Sequence, residues 1–479
     1  MSHLPVLAVV APLLCAFCMP LLEFVSNRAR RLSVAVFATA QVGIPALLIP
    51  RVAAEGVVEY HLGGWGPGIG IVLVVDGFSL FFTLLAAAGI WMASLYSLEF
   101  VDRSEYRYFV LLFIVSAGVT GMLLTGDLFN LYVFFELAAM ASFPLVAFSG
   151  KPGAVEAAFR YMLYSTVASA LILLGVGLVY GATGALNLRQ AAAALETADV
   201  GLRSVILGLL TVGFAVKVAL VPFHAWLPGA HGSAPAPVSA LLSGVLLKTG
   251  VYAMVRLLVA FGAGPQLERL DLVLLNLGTL SVVVGHSLAF GQTDFKRVLA
   301  YSSIAHVGII MTGVGLGTVY GLAGALFHAG NHMVMKSTAF FAVGRLATGA
   351  GFEPADMRGT GRRAPLAAVA LIVSALSLIG IPPLAGFIGK WEVTLDALRE
   401  RHFLHAAAIP LGTLLSAVYY GRMVRTLFCK SDRTDAAGPA AKPIAAAILV
   451  VGAAGCVVPF AFWGSLEPVL MRIAVLVRG

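Results

Sequence analysis

Apolar runs of about twenty residues follow one another along almost the whole chain, and they constrain its fold more than any other feature. Of the 479 residues, 60% are hydrophobic and 11% are charged, which leaves too little polar surface to coat a water-soluble protein of this length. A run of this length can cross the hydrocarbon core of a bilayer as an α-helix. The sequence therefore predicts an all-α polytopic membrane protein, with residues 1–479 forming a single integral membrane domain.

About fourteen transmembrane helices are expected from the apolar runs. The predicted segments are 3–24, 32–50, 71–96, 108–125, 127–148, 154–181, 204–227, 238–261, 267–289, 298–316, 319–347, 366–395, 402–427 and 441–476.

Two segments are interrupted by proline, "VGFAVKVALVPFHAWLP" (212–228) and "LSLIGIPPLAGFIGKW" (376–391). They lie five segments apart, and paired interruptions at matching places are typical of transporters built from repeats. Residues 108–261 and 267–427 are therefore predicted to form two five-helix repeats, the second inverted because five is odd. Each repeat contains one broken helix. The alternative for each break is a proline kink that serves packing alone.

Five charged side chains lie deep inside the apolar segments: Glu136, Lys217, Lys248, Lys336 and Lys390. A lysine at the centre of a bilayer helix costs about 2.5–3.5 kcal/mol on insertion scales, so four of them point to a use. Glu136, Lys217 and Lys248 fall near the middle of their segments, where an acid and two bases can meet near the midplane. Protons are the predicted cargo. A purely structural ion pair between Glu136 and Lys217 is the alternative.

A second group of titratable residues lies in segment 319–347. His328, His332 and Lys336 are spaced i, i+4, i+8 and so form a stripe about 12 Å long on one helical face. His306 on the preceding segment is predicted to continue this proton relay. Packing alone is the alternative for the stripe, and for His286 a hydrogen-bonded interior residue explains the sequence equally well.

The basic residues also predict an orientation. Placing both termini on the non-cytoplasmic side puts eighteen of the 31 Lys and Arg residues in cytoplasmic loops and nine on the other side, leaving the four intramembrane lysines. Cytoplasmic loops are enriched in Lys and Arg, so this orientation is favoured in the cell (inner) membrane. It also accounts for the net charge of +8 without a nucleic-acid partner.

No bound cofactor or metal is predicted. The chain carries no nucleotide loop, dinucleotide fingerprint or iron–sulfur cysteine run. The C-x-x-C pair of Cys15 and Cys18 lacks a second pair or nearby histidines, so it is interpreted as packing. Any driving reaction must then lie in another subunit, and whether the chain serves an enzyme is left open.

Three stretches resemble a known family. They are "GDLFNLYVFFELAAMASFPLVAF", "KVALVPFHAWLPGAHGSAPAPVSALLSGVLLKTGVYAMVRL" and "FKRVLAYSSIAHVG…FHAGNHMVMKSTAFFAVG". These residues are similar to the antiporter-like subunits of respiratory complex I (NADH-quinone oxidoreductase), Mrp-type cation/proton antiporters and membrane-bound hydrogenases. The opening "YHLGGWGPGIGIVLVVDGFSL" resembles the D-type Mrp subunit and its hydrogenase relatives most.

The resemblance implies roles for the buried charges. Glu136 matches a glutamate on the fifth helix that modulates the lysine of the broken seventh helix, here Lys217. Lys248 matches the lysine of the eighth helix, which relays through histidines to Lys390 on the broken twelfth. Lys336 with His332 matches the basic position of the eleventh. The resemblance further implies partner membrane subunits, protons as the cargo, and Na⁺ or K⁺ left open as a coupled ion.

Two other classes of function are compatible with the sequence. A stand-alone secondary solute transporter would also have inverted repeats and broken helices. A non-conducting structural subunit would keep the helices but tolerate neutral replacements of the lysines.

Overall fold

The structure is a computed structural model that describes residues 3–101, 105–262, 264–347, 351–430 and 442–478. Most of these residues are helical, as predicted. A continuous apolar segment can cross a bilayer only if its backbone groups bind each other, which the α-helix achieves within one segment.

The first half of the chain contains twelve α-helices among the described residues. In chain order they are α1 (Leu4–Glu23), α2 (Asn27–Ala46), α3 (Ile49–Glu55), α4 (Gly77–Phe100), α5 (Glu105–Leu124), α6 (Leu128–Val146), α7 (Pro152–Thr183), α8 (Leu188–Leu195), α9 (Val200–Lys217), α10 (Trp226–Ser233), α11 (Ala236–Leu241) and α12 (Leu247–Phe261). A π-helical turn, Leu242–Leu246, joins α11 to α12.

The second half continues with eleven helices in its described residues. They are α13 (Gly264–Phe290), α14 (Phe295–Gly315), α15 (Val319–Leu346), α16 (Pro354–Met357), α17 (Thr360–Arg363), α18 (Pro365–Ile379), α19 (Ala385–Arg399), α20 (Phe403–Phe428), α21 (Pro443–Gly455), α22 (Val458–Ala461) and α23 (Trp463–Arg478).

Twelve helices in the described residues are long and apolar enough to span a membrane, or thirteen if the bent pair Pro354–Arg363 and Pro365–Ile379 is one span. The predicted count of fourteen is therefore not confirmed. The 28-residue α15 is not among the twelve, because its histidines, asparagine and lysine lower its hydropathy although nearly all of it is buried.

A β-hairpin departs from the expected all-helical fold. Strands β1 (Val57–His61) and β2 (Val72–Asp76) pair antiparallel, from Val57 opposite Asp76 to His61 opposite Val72. The segment predicted as helix 71–96 thus begins as a strand, and α4 starts only at Gly77. The β-branched run at 72–76 favours a strand, and the glycine-rich connection supplies the turn.

The last predicted segment, 441–476, is also wrong as a single helix. Its described part is divided into α21, α22 and α23. Gly455 ends α21 and Pro459 lies in the first turn of α22, where proline needs no amide donor, so a new helix begins there.

Both proline interruptions are breaks between two helices. The first separates Lys217, the last residue of α9, from Trp226 at the start of α10. The second separates Ile379, the last residue of α18, from Ala385 at the start of α19. Each break has one residue in the left-handed region, Ala219 with φ 56° in the first and Gly380 with φ 87° in the second. Helical hydrogen bonding therefore stops at both places.

The chain packs into two compact units. Unit 1 comprises residues 1–94, 101–218 and 246–270, and unit 2 comprises 95–100, 219–245 and 271–479. In unit 1, the hairpin packs with α1 and α4 around buried aliphatic residues such as Val58, Leu73 and Leu80. In unit 2, α13, α14, α19 and α20 share a second buried cluster that includes Val282 and Ile309.

Candidate functional site

All four intramembrane lysines are withdrawn from solvent. Lys217, Lys248, Lys336 and Lys390 are 5%, 2%, 0% and 5% exposed. An ammonium at such a depth needs hydrogen-bond acceptors supplied by the protein. The acceptors of Lys217, Lys336 and Lys390 differ from one lysine to the next.

In unit 1, a polar network lies between Glu136 on α6 and Lys217 at the end of α9. The Glu136 carboxylate accepts a hydrogen bond from the Ser169 hydroxyl on α7. The Lys217 ammonium lies 3.5 Å from the Ser165 hydroxyl and 3.4 Å from the Tyr161 hydroxyl, also on α7. Ser169 in turn lies 2.9 Å from the Ser165 carbonyl. We call these five residues the α7 network.

The α7 network separates the two charges that sequence reasoning paired. Among the described residues, no direct ion pair joins Glu136 to Lys217; their contacts run through the α7 hydroxyls. The ammonium also faces the Phe135 ring, 4.6 Å from its centroid, which is a favourable cation–π distance. A charge held by hydroxyls and a ring face can be lost or regained without breaking a carboxylate salt bridge.

The serines and tyrosine of α7 were missed by sequence reasoning. Tyr161, Ser165 and Ser169 are spaced i, i+4, i+8 and so share one helical face. The same spacing had identified the α15 stripe. Without a charged residue, however, the α7 stripe resembles ordinary hydroxyl residues of a membrane helix.

Lys248 lies on α12, one residue after its start, directly beyond the π-helical turn Leu242–Leu246. Short π-helical turns inside α-helices often occur at functional sites. A methyl group at Gly250 would lie 3.6 Å from the Lys217 Cγ, so α12 packs against the stem of Lys217 in unit 1. Lys217 and the helix that carries Lys248 are therefore neighbours.

Further along α12, Tyr252 contacts α5 and Arg256. Its hydroxyl donates to the Leu123 carbonyl at 2.8 Å and lies 3.3 Å from Arg256 Nε. Arg256 forms two 2.7 Å contacts with the Asp76 carboxylate at the end of β2. Burial raises the pKa of Asp76, but Arg256 outweighs burial and holds that pKa below its usual value. This pair fastens the hairpin to α12.

In unit 2, the predicted α15 stripe faces α14. His306 Nδ1 lies 3.0 Å from His328 Nε2. The His306 ring is nearly parallel to those of His328 and His332, with centroids 5.2 Å and 4.9 Å away and interplanar angles of 13° and 20°. We call these three fully buried residues the imidazole stack. The nitrogens of His306 and His328 are close enough for proton transfer between a neutral and a protonated ring.

Lys336 continues the stripe one turn beyond His332. Its ammonium donates to the Leu299 carbonyl at 2.8 Å and to the Tyr420 hydroxyl on α20 at 3.2 Å. Both acceptors are neutral oxygens, a carbonyl and a phenol, so neither fixes the charge of Lys336 as a carboxylate would.

Lys390 binds the helix break that precedes it. Its ammonium donates to the carbonyls of Leu378 and Ile379 at 2.9 Å and 3.0 Å, and to the Thr413 hydroxyl at 3.2 Å. The two carbonyls lie at the end of α18, where no following helical turn can bind them. Three acceptors match the three donors of an ammonium, so the charged form of Lys390 completes the break.

The imidazole stack approaches the helix that carries Lys390. A methyl group at Gly389 would lie 2.9 Å from His328 Nδ1, which means that the α19 backbone packs directly on that ring. The structure thus brings together the predicted residues of unit 2: His306, His328, His332, Lys336 and the neighbourhood of Lys390. Within the described ranges, no three His, Cys, Asp or Glu residues are arranged to hold a metal ion.

Comparison with known proteins identifies the family of the chain. Residues 125–416 match a family described as "NADH:quinone oxidoreductase/Mrp antiporter, TM". The chain is 35% identical over 438 residues to the NADH-quinone oxidoreductase subunit N of Desulforudis audaxviator, covering 90% of this chain and 87% of that relative. It is 32% identical over 421 residues to an Na(+)/H(+) antiporter subunit of Bacillus subtilis, covering 87% and 85%.

Two solved structures are similar along their whole length. One is a chain of the membrane-bound sulfane sulfur reductase, an archaeal respiratory membrane complex, with a TM-score of 0.93, 30% identity and coverage of 100% and 98%. The other is a chain of the Mrp complex from Dietzia sp., with a TM-score of 0.90, 25% identity and the same coverage. The protein is thus a multi-pass antiporter-like membrane subunit, and it belongs to the NADH:quinone oxidoreductase/Mrp antiporter transmembrane family.

Proposed function

We propose that this chain translocates protons as a subunit of a larger ion-pumping membrane complex, of the Mrp cation/proton antiporter type or a complex I or membrane-bound hydrogenase relative. The observation that carries the proposal is a set of four buried lysines, three of them hydrogen-bonded to neutral oxygens, together with the stacked imidazoles. Such groups are costly to keep in a membrane, which favours a use in proton transfer over packing. Partner membrane subunits supply the driving reaction.

The proposed fold extends the observed one. It has fourteen transmembrane segments, with 108–261 and 267–427 as inverted five-helix repeats and both termini on the non-cytoplasmic side of the cell membrane. The breaks after Lys217 and before Lys390 support the repeats, because each carries a lysine and a left-handed residue. The excess of basic residues in the predicted cytoplasmic loops supports the orientation.

The proposed path begins in the α7 network. Glu136 favours the charged form of Lys217, and any movement that lengthens their separation favours release of the proton. The α7 hydroxyls make the separation of Glu136 and Lys217 adjustable, because each hydroxyl can exchange one hydrogen-bond acceptor for another at little cost in free energy. The proton then passes to Lys248, whose helix packs against the Lys217 stem.

The second part of the path lies in unit 2. From Lys248 the proton is carried through His306, His328, His332 and Lys336 to Lys390. Proton transfer between two rings requires a donor and an acceptor nitrogen within hydrogen-bond distance, and His306 Nδ1 lies 3.0 Å from His328 Nε2. The tautomers of the two rings set which nitrogen donates. When Lys390 releases its proton, an α18 carbonyl loses its hydrogen-bond donor. A water molecule can then bind this carbonyl at the helix break.

Two other functions stay as alternatives. A solute transporter would need groups suited to an organic substrate near the breaks, and uptake by the isolated chain in vesicles would favour it. A structural subunit would assemble and support pumping after all four lysines were made neutral. Na⁺ and K⁺ stay open as coupled ions beside H⁺.

Replacement of Lys217 tests the proposal. Lys217→Ala is expected to abolish proton uptake into sealed vesicles by the intact complex while subunit assembly is retained. Lys217→Arg is expected to fail as well, because an arginine side chain does not release its proton at cellular pH. Pumping at the wild-type rate by Lys217→Arg would leave only a fixed charge at this position. Arg160→Lys, on the exposed face of α7, is the control and should pump normally.

A further inference from the structure

Asn331 lies on α15 between two members of the imidazole stack, three residues after His328 and one before His332, and it has no part in the path proposed above. It is 5% exposed. Its Nδ2 lies 3.2 Å from the carbonyl oxygen of Ala385, the first residue of α19. A carbonyl can only accept, so the amide donates. This hydrogen bond joins the helix of the imidazole stack to the helix that carries Lys390.

Ala385 is held from its other side as well. Its N–H donates at 3.0 Å to the carbonyl of Cys456, the residue that follows α21. The next residue, Gly386, donates its N–H to the Ser377 hydroxyl at 3.1 Å, and that hydroxyl lies 3.4 Å from the same Cys456 carbonyl. The first amides of a helix have no acceptor within it, so these contacts supply one for each. We call Asn331, Ser377 and the Cys456 carbonyl the α19 anchor.

The backbone of α19 packs closely on α15 beside the anchor. A methyl group at Gly386 would lie 3.0 Å from the Met335 Sδ, and one at Gly389 would lie 2.7 Å from the His328 Cβ. Glycine at both positions lets the α19 backbone approach the α15 side chains directly. The anchor therefore fixes Lys390, the residue after Gly389, relative to His328.

The chemistry of an amide suits this place. His328, His332 and Lys390 change charge in the proposed path, whereas an asparagine side chain does not titrate. It donates to the Ala385 carbonyl in the same way whatever the charge of its neighbours. The hydrogen bond of Asn331 can therefore persist through the proton transfers around it.

From these contacts we propose that Asn331 is a positioning residue for Lys390, because its hydrogen bond to Ala385 holds α19 against the imidazole stack while the break between α18 and α19 opens. The inference rests on the proposed function, since it serves proton transfer to Lys390. When Lys390 releases its proton, Ala385 stays bound to Asn331 and to the Cys456 carbonyl. Movement is then confined to residues 380–384, and Lys390 stays beside His328. Asn331 itself carries no proton.

The test compares Asn331→Leu with Asn331→Asp, two replacements close to asparagine in size, in proton uptake into sealed vesicles by the intact complex. Leucine deletes the donor at every pH. A protonated carboxyl donates to the Ala385 carbonyl as the amide does, whereas an ionised carboxylate can only accept. The donor of Asn331→Asp is therefore present below the pKa of the new carboxyl and is lost as the pH rises through it. Asn276→Leu is the matched control, since the amide of this exposed unit 2 asparagine donates within its own helix, to the Leu272 carbonyl.

The positioning role predicts a distinct order of rates. Asn331→Leu should lower the proton-uptake rate about fivefold, the factor that corresponds to one hydrogen bond. At the acid end of the pH profile, Asn331→Asp should pump close to the wild-type rate and well above Asn331→Leu. The wild-type profile already contains the titration of His328, His332 and Lys390, so each variant is expressed as a ratio to it. Asn276→Leu should leave the rate unchanged.

A role in packing alone would make the apolar leucine the better replacement. Wild-type pumping by Asn331→Leu would overturn the proposal, and so would an Asn331→Asp rate at the acid end that is no higher than that of Asn331→Leu. If leucine prevents assembly, Asn331→Ala deletes the same donor with a smaller side chain, and the same two outcomes apply to it.

Amide hydrogen exchange in the purified complex tests the α19 anchor without any pumping. Asn331→Leu should speed exchange at residues 385–388, and unchanged exchange there would overturn the positioning role. Unimpaired pumping by Lys217→Ala would remove the proposed function and leave the exchange result standing. Essential lysines with a dispensable Asn331 would remove only the positioning role.

Discussion

Lys217 in unit 1 and Lys390 in unit 2 both lie beside a helix break, yet their ammonium groups meet different acceptors. Lys217 faces side chains, the α7 hydroxyls and an aromatic ring, with Glu136 at the far end of the network. Lys390 faces the backbone, the last two carbonyls of α18. In the proposed proton path, side-chain movement would therefore act on Lys217, whereas opening of a broken helix would act on Lys390.

The largest expected difference between the two lysines is in stability. Lys390→Met leaves the carbonyls of Leu378 and Ile379 without their donor, and each unsatisfied buried carbonyl costs about 1–3 kcal/mol. Lys217→Met leaves only hydroxyls, which can turn to other acceptors. The thermal-unfolding midpoint of the purified complex should therefore fall more for Lys390→Met, with faster amide exchange at 376–386. Equal midpoints and unchanged exchange would mean that Lys390 does not stabilise the break.

A smaller difference in proton-uptake rate is expected between replacements of two hydroxyl residues, Ser169 in the α7 network and Thr413 beside Lys390. Ser169→Ala removes the hydrogen bond that joins Glu136 to the α7 network, and a loss of about 1 kcal/mol corresponds to roughly fivefold in proton-uptake rate. Thr413→Val leaves both carbonyl acceptors of Lys390 in place and does not alter the imidazole stack. The proton-uptake rate should therefore fall by less than about twofold. Ser204→Ala on the exposed face of α9 is the control. A greater loss from Thr413→Val than from Ser169→Ala would reverse the comparison.

Sequence reasoning succeeded where a charge or a proline interrupts an apolar run. It predicted the membrane class, both breaks and the α15 stripe, because each of these violates the expected hydropathy of a bilayer helix. It located His328, His332 and Lys336 on one face, where the structure places them against His306.

The features that sequence reasoning missed do not interrupt an apolar run. The α7 hydroxyls and the Tyr420 hydroxyl beside Lys336 are ordinary in membrane helices, and only their neighbours on other helices make them part of a site. The β-hairpin was missed because its second strand is mostly apolar and leads directly into α4, with only Asp76 and Gly77 at the boundary. The local hydropathy pattern does not distinguish a short apolar strand from the first turn of a helix.

The proposed path carries protons in series through lysines of both units. Proton uptake into sealed vesicles by the intact complex tests it most directly, using Lys248→Ala, Lys390→Ala and the double replacement, with assembly confirmed by co-purification of the partner subunits. A series path predicts that each single replacement abolishes uptake and that the double replacement is no worse. Partial losses that add in the double replacement, or uptake at the wild-type rate in Lys390→Ala, would contradict the account.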